Sequence, residues 1–181
     1  MNAWAAAGGW LTVNYRPGRR LSVILAQAPG AGDMFNWTNE FTVVFRAFAV
    51  PYWEDTNATS VTSAVASSGS MNIIVPGSAE TIANATIQNM SGMMITNVSL
   101  SIGGKAMSFS GSNLLPGGYS ITIDHPQSEK MIYFRARNNA GSIMANRNGA
   151  DDFNVQPGAR GISFSANRAV RVTVSLKGRY L

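Results

Sequence analysis

Every second residue near the end of the chain is apolar, and this pattern constrains the fold more than any other. Val170, Val172, Val174 and Leu176 alternate with Arg171, Thr173, Ser175 and Lys177. Successive side chains of a strand point to opposite faces, so the run reads as a strand with one buried face and one basic, hydroxyl-bearing face. Ile162, Phe164 and Ala166 repeat the alternation upstream, after a Gln156-Pro157-Gly158 turn. Asn167-Arg168-Ala169 separates the two runs, and a three-residue connection between alternating runs predicts a hairpin. The apolar face of that hairpin needs a partner. The strands between Met71 and Ala136 are expected to supply it, with Arg168, Arg171, Lys177 and Arg179 on the outer surface.

Those strands are short and evenly spaced. Met71–Val75, Ala85–Asn89, Ile95–Ile102, Lys105–Ser110, Tyr119–Asp124 and Met131–Ala136 are separated by Gly, Pro and Asn turns such as Pro76-Gly77, Gly103-Gly104 and Leu115-Pro116-Gly117-Gly118. This spacing predicts an all-β antiparallel sandwich or barrel. No segment shows a helical period, although one helical turn could precede the Asn146–Asp151 loop. Charged residues make up 13% of the chain, about half the usual ~25%. Ser, Thr, Asn and Gly stand in their place, which suits strand surfaces better than helix surfaces.

Upstream, Leu11–Tyr15 and Leu21–Leu25 flank Arg16-Pro17-Gly18-Arg19 and predict a first hairpin. The run Glu40–Val50 is the most hydrophobic strand, apolar on both faces, and ends at Pro51-Tyr52-Trp53-Glu54-Asp55. A strand apolar on both faces is buried on both. The second cover comes from this chain or from another subunit. Phe41, Val44, Phe45, Phe48, Tyr52 and Trp53 are the candidate oligomer-interface residues. Asn57–Ser70 is small and hydroxyl-rich, a weak strand or a linker. The expected division is an N-terminal β element over 1–57, a linker over 58–70 and a C-terminal sandwich over 71–181.

The chain has no cysteine, which excludes disulfides, thiolate nucleophiles and Cys-ligated zinc. No apolar run reaches the ~20 residues that span a bilayer, so no membrane role is expected. No Lys or Arg precedes the short apolar stretch after Met1, which argues against a secretory signal. Charge is uneven. Residues 1–57 balance four Arg against four acids, whereas residues 130–181 carry nine Lys or Arg and two acids. A solubilising surface is the plain reading of this excess, and attraction to an acidic partner or anionic cell-wall polymer the sharper one. Nucleic acid is not expected, since no recognition helix or base-stacking motif accompanies the basic residues.

Candidate chemistry is sparse, and no catalytic, cofactor-binding or metal-binding residue is assigned. His125 follows Asp124, but neighbours at a strand end point apart and do not orient each other, so a solvated loop histidine is expected. Asp151-Asp152 lacks calcium-loop spacing and reads as a turn before a strand. Glu54 and Asp55 read as polar residues leaving a strand rather than an acid–base pair. Trp4, Trp10, Trp37, Tyr52 and Trp53 crowd the first third, where packing is the plainer role and stacking on sugar rings the sharper one. The five Asn-X-Ser/Thr sequons are a by-product of this composition.

Several of these stretches together resemble the distal tail proteins of long-tailed bacteriophages. They are the aromatic strand Phe41–Val50 with Pro51-Tyr52-Trp53-Glu54, the Ser/Thr segment after it, Ile87-Gln88-Asn89-Met90-Ser91, Leu115–Asp124, Phe153–Gly158, and the closing Val/Arg strand. The resemblance covers most of residues 20–181. It implies an N-terminal β element that forms a ring, usually a hexamer, and a C-terminal galectin-like β-sandwich of jelly-roll type. It also implies a place at the virion's tail tip and a non-enzymatic role. The partners would be further copies of the chain, the tail tube, the tail-associated hub and receptor-binding proteins. The N-terminal element is short for this family, which leaves the ring number open. The alternative from a different class is a carbohydrate-binding sandwich that recognises cell-surface glycan.

Overall fold

A computed structural model describes residues 8–27, 43–47, 51–125 and 135–181. Among these the chain is all β apart from one 3-10 turn at Met144–Asn146. The strands are β1 (Gly9–Leu11), β2 (Arg19–Gln27), β3 (Val44–Ala47), β4 (Trp53–Asp55), β5 (Thr59–Thr62), β6 (Ala66–Val75), β7 (Thr81–Asn89) and β8 (Ile95–Ile102). They continue with β9 (Lys105–Leu115), β10 (Ser120–Asp124), β11 (Arg135–Asn138), β12 (Gly141–Ser142), β13 (Arg147–Gly149), β14 (Asn154–Val155), β15 (Gly158–Leu176) and β16 (Arg179–Tyr180).

The expected terminal hairpin does not form. Its two halves are one strand, β15, 19 residues long. The segment Asn167-Arg168-Ala169 contains neither Gly nor Pro, and the even-numbered positions keep pointing inward on both sides of it. Ile162, Phe164, Val170, Val172, Val174 and Leu176 are all buried. A register shift between Ser165 and Val170 bends the strand there instead of reversing it. The Asn167 side chain ties the bend: its Oδ1 accepts from the backbone N–H of Thr96 and Asn97 at 3.2 and 3.4 Å, and its Nδ2 donates to Thr96 Oγ1 at 3.0 Å.

This bent strand builds the sandwich. Along one flank run β5 and β6, from Thr59 opposite Leu176 to Val75 opposite Gly158. Along the other run β7, opposite Val170–Leu176, and β8, opposite Ile162–Ala166. From β7 the sheet continues through β10, β11 and β12, and from β8 through β9 and β13. The two continuations form the two layers. Their inward faces meet in one core that includes Ile87, Leu100, Phe109, Ile121, Phe153 and Val172. Full burial of such side chains stabilises by roughly 1.5–3 kcal/mol each. All-β antiparallel structure is therefore present as expected, and the Met71–Ala136 strands do cover the apolar face of β15.

One buried polar side chain braces the corner between β7 and β8. Asn89, 1% exposed, donates to the carbonyls of Met93 at 2.8 Å and Leu115 at 3.0 Å. Its Oδ1 accepts from the N–H and the hydroxyl of Ser91, at 2.9 and 2.7 Å. A primary amide has two donors and one strongly accepting oxygen, and all of them are used here.

The expected linker over 58–70 is largely strand: β5 and the start of β6 both pair with β15. Hydroxyl side chains serve the ladder rather than loosening it. Thr62 Oγ1 lies 3.1 Å from Thr173 Oγ1, and Ser63 Oγ accepts from the Val172 N–H at 3.0 Å. Gly69 is no breaker either, since a Cβ there would come within 2.9 Å of the Phe164 ring.

The small sheet is centred on β2. β1 pairs on one side, with Gly9 opposite Val23, so a hairpin forms, but its first strand ends at Leu11 and Thr12–Tyr15, expected as strand, belong to the connection. On the other side β3 and then β4 follow one another, with Ala47 opposite Val23 and Glu54 opposite Arg20. The sheet is not made by residues 1–57 alone. Strand β16 returns from the end of the sandwich and pairs with β4, Arg179 opposite Glu54 and Tyr180 opposite Trp53.

Candidate functional site

The sequence places its interface candidates on the run Glu40–Val50 and the aromatic pair after it, and four of the six are among the described residues. Phe41 and Phe48 lie outside the described residues. Val44 is 39% exposed at the start of β3, and Phe45 beside it is half-buried. Among the described strands β3 pairs with β2. Tyr52 and Trp53 are half-buried further along, and Trp53 lies in β4 with the Arg16 guanidinium 5.2 Å from its ring centre.

A second exposed apolar region sits at the far corner of the sandwich. Met90, Met93 and Met94 lie in the turn between β7 and β8, and Tyr119, 52% exposed, follows the Pro116-Gly117-Gly118 turn. The two turns are joined: Gly118 N–H donates to Asn89 O at 3.2 Å, and Asn89 N–H to Tyr119 O at 2.9 Å.

Polar chemistry gathers where the two sheets meet. Glu54 does not leave its strand as a solvated acid. It sits inside β4 with its side chain 7% exposed, and Arg20 donates to its Oε1 from both Nε and Nη2, at 3.0 and 2.8 Å. Lys177 Nζ lies 3.7 Å from the same oxygen. The expected outward position of Lys177 and Arg179 is thus corrected, because residues after Leu176 turn into this seam to reach β4. Arg168 and Arg171 are exposed as expected. Aromatic rings cap two of the cations: Arg20 stacks 3.7 Å from the Trp10 ring centre and Arg19 3.4 Å from that of Tyr180.

The backbone fixes this seam closely. Arg179 O accepts from Ser78 N–H at 2.8 Å and Ala79 N–H at 3.0 Å, and Asp55 N–H donates to Gly178 O at 3.0 Å. Tyr180 Oη donates to Asp55 Oδ2 at 3.2 Å. Gly77 has φ +115 and lies so near the Arg179 backbone that a Cβ would overlap it.

A cleft of about 230 Å³ opens at the seam, lined by Trp10, Arg20, Glu54, His125, Lys177 and Arg179 among others. His125 is a wall of this cleft rather than a solvated loop residue. Its Nδ1 and its backbone N each lie 3.2 Å from Asn84 Oδ1. Burial pulls the imidazole pKa below its ordinary value, against the opposing fields of Asp152 and Asp124. Asp124 does not orient it. Its carboxylate accepts from Arg135 at 2.8 and 2.6 Å, and this hydrogen bonding lowers its own pKa against the cost of burial. Asp152 is engaged by Lys105 at 2.6 Å and Asp151 by Arg147 at 2.6 Å. Among the described residues no three His, Asp or Glu side chains are grouped to hold a metal.

Sequence reasoning missed the cleft. Its cations come from β2 and from the residues after β15, and its one acid from β4. No local spacing joins them.

No family model and no curated protein sequence matches the chain. A solved structure does match: the Dit (gp 19.1) protein of phage SPP1, described as a paradigm of the hub adsorption apparatus in phages that infect Gram-positive bacteria. It is 14% identical, with a TM-score of 0.62, and the match takes in 97% of this chain and 66% of that one. At this identity the likeness is one of fold.

Proposed function

We propose that this chain is a structural component of a bacteriophage tail tip, a distal-tail-type protein that links the tail tube to the host-attachment apparatus. The observation that carries the reading is the shared architecture: small sheet and sandwich together follow the SPP1 Dit fold over 97% of the chain. In this reading the small sheet joins neighbouring copies into a ring, with Val44, Phe45, Tyr52 and Trp53 near the contact. An exposed valine beside half-buried aromatic residues is the kind of surface that a second chain covers. The Met90–Met94 corner with Tyr119 faces other tail proteins, since methionines adapt to varied partners. The role is architectural rather than catalytic.

Purified chain, alone and mixed with the tail tube protein of the same virion, tests this by light scattering and negative-stain imaging. Closed rings in either sample are expected, with Val44→Lys reducing them. Monodisperse monomer in both samples, at every concentration and salt, overturns the ring. Gold-labelled antibody on intact particles tests the location, and label anywhere but the tail tip overturns it.

A further inference from the structure

Three cations and one carboxylate line the cleft between the sheets, leaving a charge of +2 when His125 is neutral (Arg20, Lys177 and Arg179 against Glu54). Glu54 does not satisfy all three. Its Oε1 already accepts twice from Arg20, and Lys177 stands off at 3.7 Å. Arg179 is the least served. Among the described residues none accepts a hydrogen bond from its guanidinium, although the residue is half-buried. Burial pulls its pKa below the usual arginine value, opposed by the fields of Glu54, Tyr52 and Glu80. Glu80 is exposed and accepts from Gln156 at 3.3 Å.

A half-buried guanidinium that donates to no described protein group offers a planar fork of donors suited to phosphate or carboxylate. This one is also held in position. The Arg179 carbonyl takes two backbone hydrogen bonds, and Glu54 lies opposite it in the β4 ladder. The root of the side chain therefore has a set place in the cleft wall. Beside it the cleft supplies Asn84 and Ser175 as neutral polar groups, and Trp10, 40% exposed, as a ring at its rim.

From this arrangement we infer that the cleft is an oxyanion-binding site, which takes a phosphate or carboxylate group carried on a small polyol or sugar. Arg179 and Lys177 hold the oxyanion. Arg20, fixed by Glu54 and Trp10, adds charge without needing to move. The polyol lies toward Trp10 and Asn84. The inference does not rest on the tail-tip reading, and a ring that bound no anion or a monomer that bound one would separate the two.

Isothermal titration of the full chain tests it, with inorganic phosphate, glycerol 3-phosphate, glucuronate and uncharged glycerol as probes. Saturable binding of at least one anion and none of glycerol is expected. Arg179→Gln is expected to weaken that binding at least tenfold, and Lys177→Gln several-fold, whereas Arg171→Gln on the exposed face leaves it unchanged. Equal affinity for phosphate and its glycerol ester assigns the site to the free oxyanion. Tighter binding of the ester or the uronate assigns it to the carried group. Melting curves establish that each variant is folded, and Lys177→Gln carries the test if Arg179→Gln does not fold. No saturable binding of any anion, or equal binding by folded wild type and folded cleft variants, overturns the site.

Discussion

The two sheets of this protein are stabilised by different physics. In the sandwich, residues from eight strands meet in a continuous apolar core, and its largest side chains are almost wholly removed from water. In the small sheet Val23 is the one buried hydrophobic residue among those described. What holds that sheet is a polar seam: Glu54 with Arg20 and Lys177, three cation–ring contacts, and the backbone ladder between β4 and β16. A packed core is sufficient for independent stability, whereas a small sheet with one buried apolar side chain among its described residues depends on what it is fastened to. The comparison teaches that the described part of the small sheet is fastened to the sandwich by polar contacts rather than by a core of its own.

The contrast can be broken most forcefully from the sandwich side. Val172→Asp puts a carboxylate at a position with no exposure, and the expected loss exceeds ~4 kcal/mol, enough to abolish a cooperative thermal transition. Its neighbour Arg171→Ser should stay within ~0.5 kcal/mol of wild type. A native melting curve for Val172→Asp would show that the inward face of β15 is wrongly assigned. Asn89→Ala should cost about 3 kcal/mol, because the Met93 and Leu115 carbonyls and the Ser91 amide lose their partner together. Urea midpoints measure it, and a change below ~1 kcal/mol would show that the corner does not need its brace.

On the seam side, Glu54→Gln keeps the shape and removes the charge beside three cations. We expect about 2 kcal/mol of local destabilisation. Hydrogen exchange should accelerate through β2 and β4 while the β7 and β8 amides keep their protection. Uniform acceleration through both sheets would mean that they unfold as one unit. The smallest effect expected is acidification. Burial holds the His125 pKa below ~6.5, so the folded state takes up a proton less readily than the unfolded chain. Its contribution is therefore complete above that pH and declines as the pH falls beneath it. The Asp124 contribution, from a carboxylate lowered by Arg135, is lost only at still lower pH, below ~3.9. His125→Gln should flatten the stability profile between pH 7 and pH 5. An unchanged slope would remove His125 as its cause.

Much of the sandwich was legible because strands announce themselves locally. The run Ile95–Ile102 was bounded correctly, since its alternation ends at Gly103-Gly104, both with positive φ. The terminal hairpin was misread for a reason also present in the residues. Ile162, Phe164, Val170 and Val172 share one parity across Asn167-Arg168-Ala169, and that continuity fits a single bent strand. The segment 58–70 hid its strands because Ser and Thr serve loops and ladders equally well, and only the partner β15 decides between them. The seam was not legible at all. Glu54 is far in sequence from Lys177 and Arg179, and the burial that brings them together belongs to the packed chain.

The length of β15 has a consequence for the order of folding. It is the shared neighbour of β5, β6, β7 and β8, so both layers of the sandwich lack their central strand until residues 158–176 are available. During synthesis the earlier strands must wait with their apolar faces uncovered, and contacts of such sequence separation form slowly. Ribosome-bound chains that expose residues only up to Gln156 should therefore remain sensitive to protease, and resistance should appear in a single step once Leu176 has emerged. Resistance that accumulates strand by strand would show that a layer can close without it.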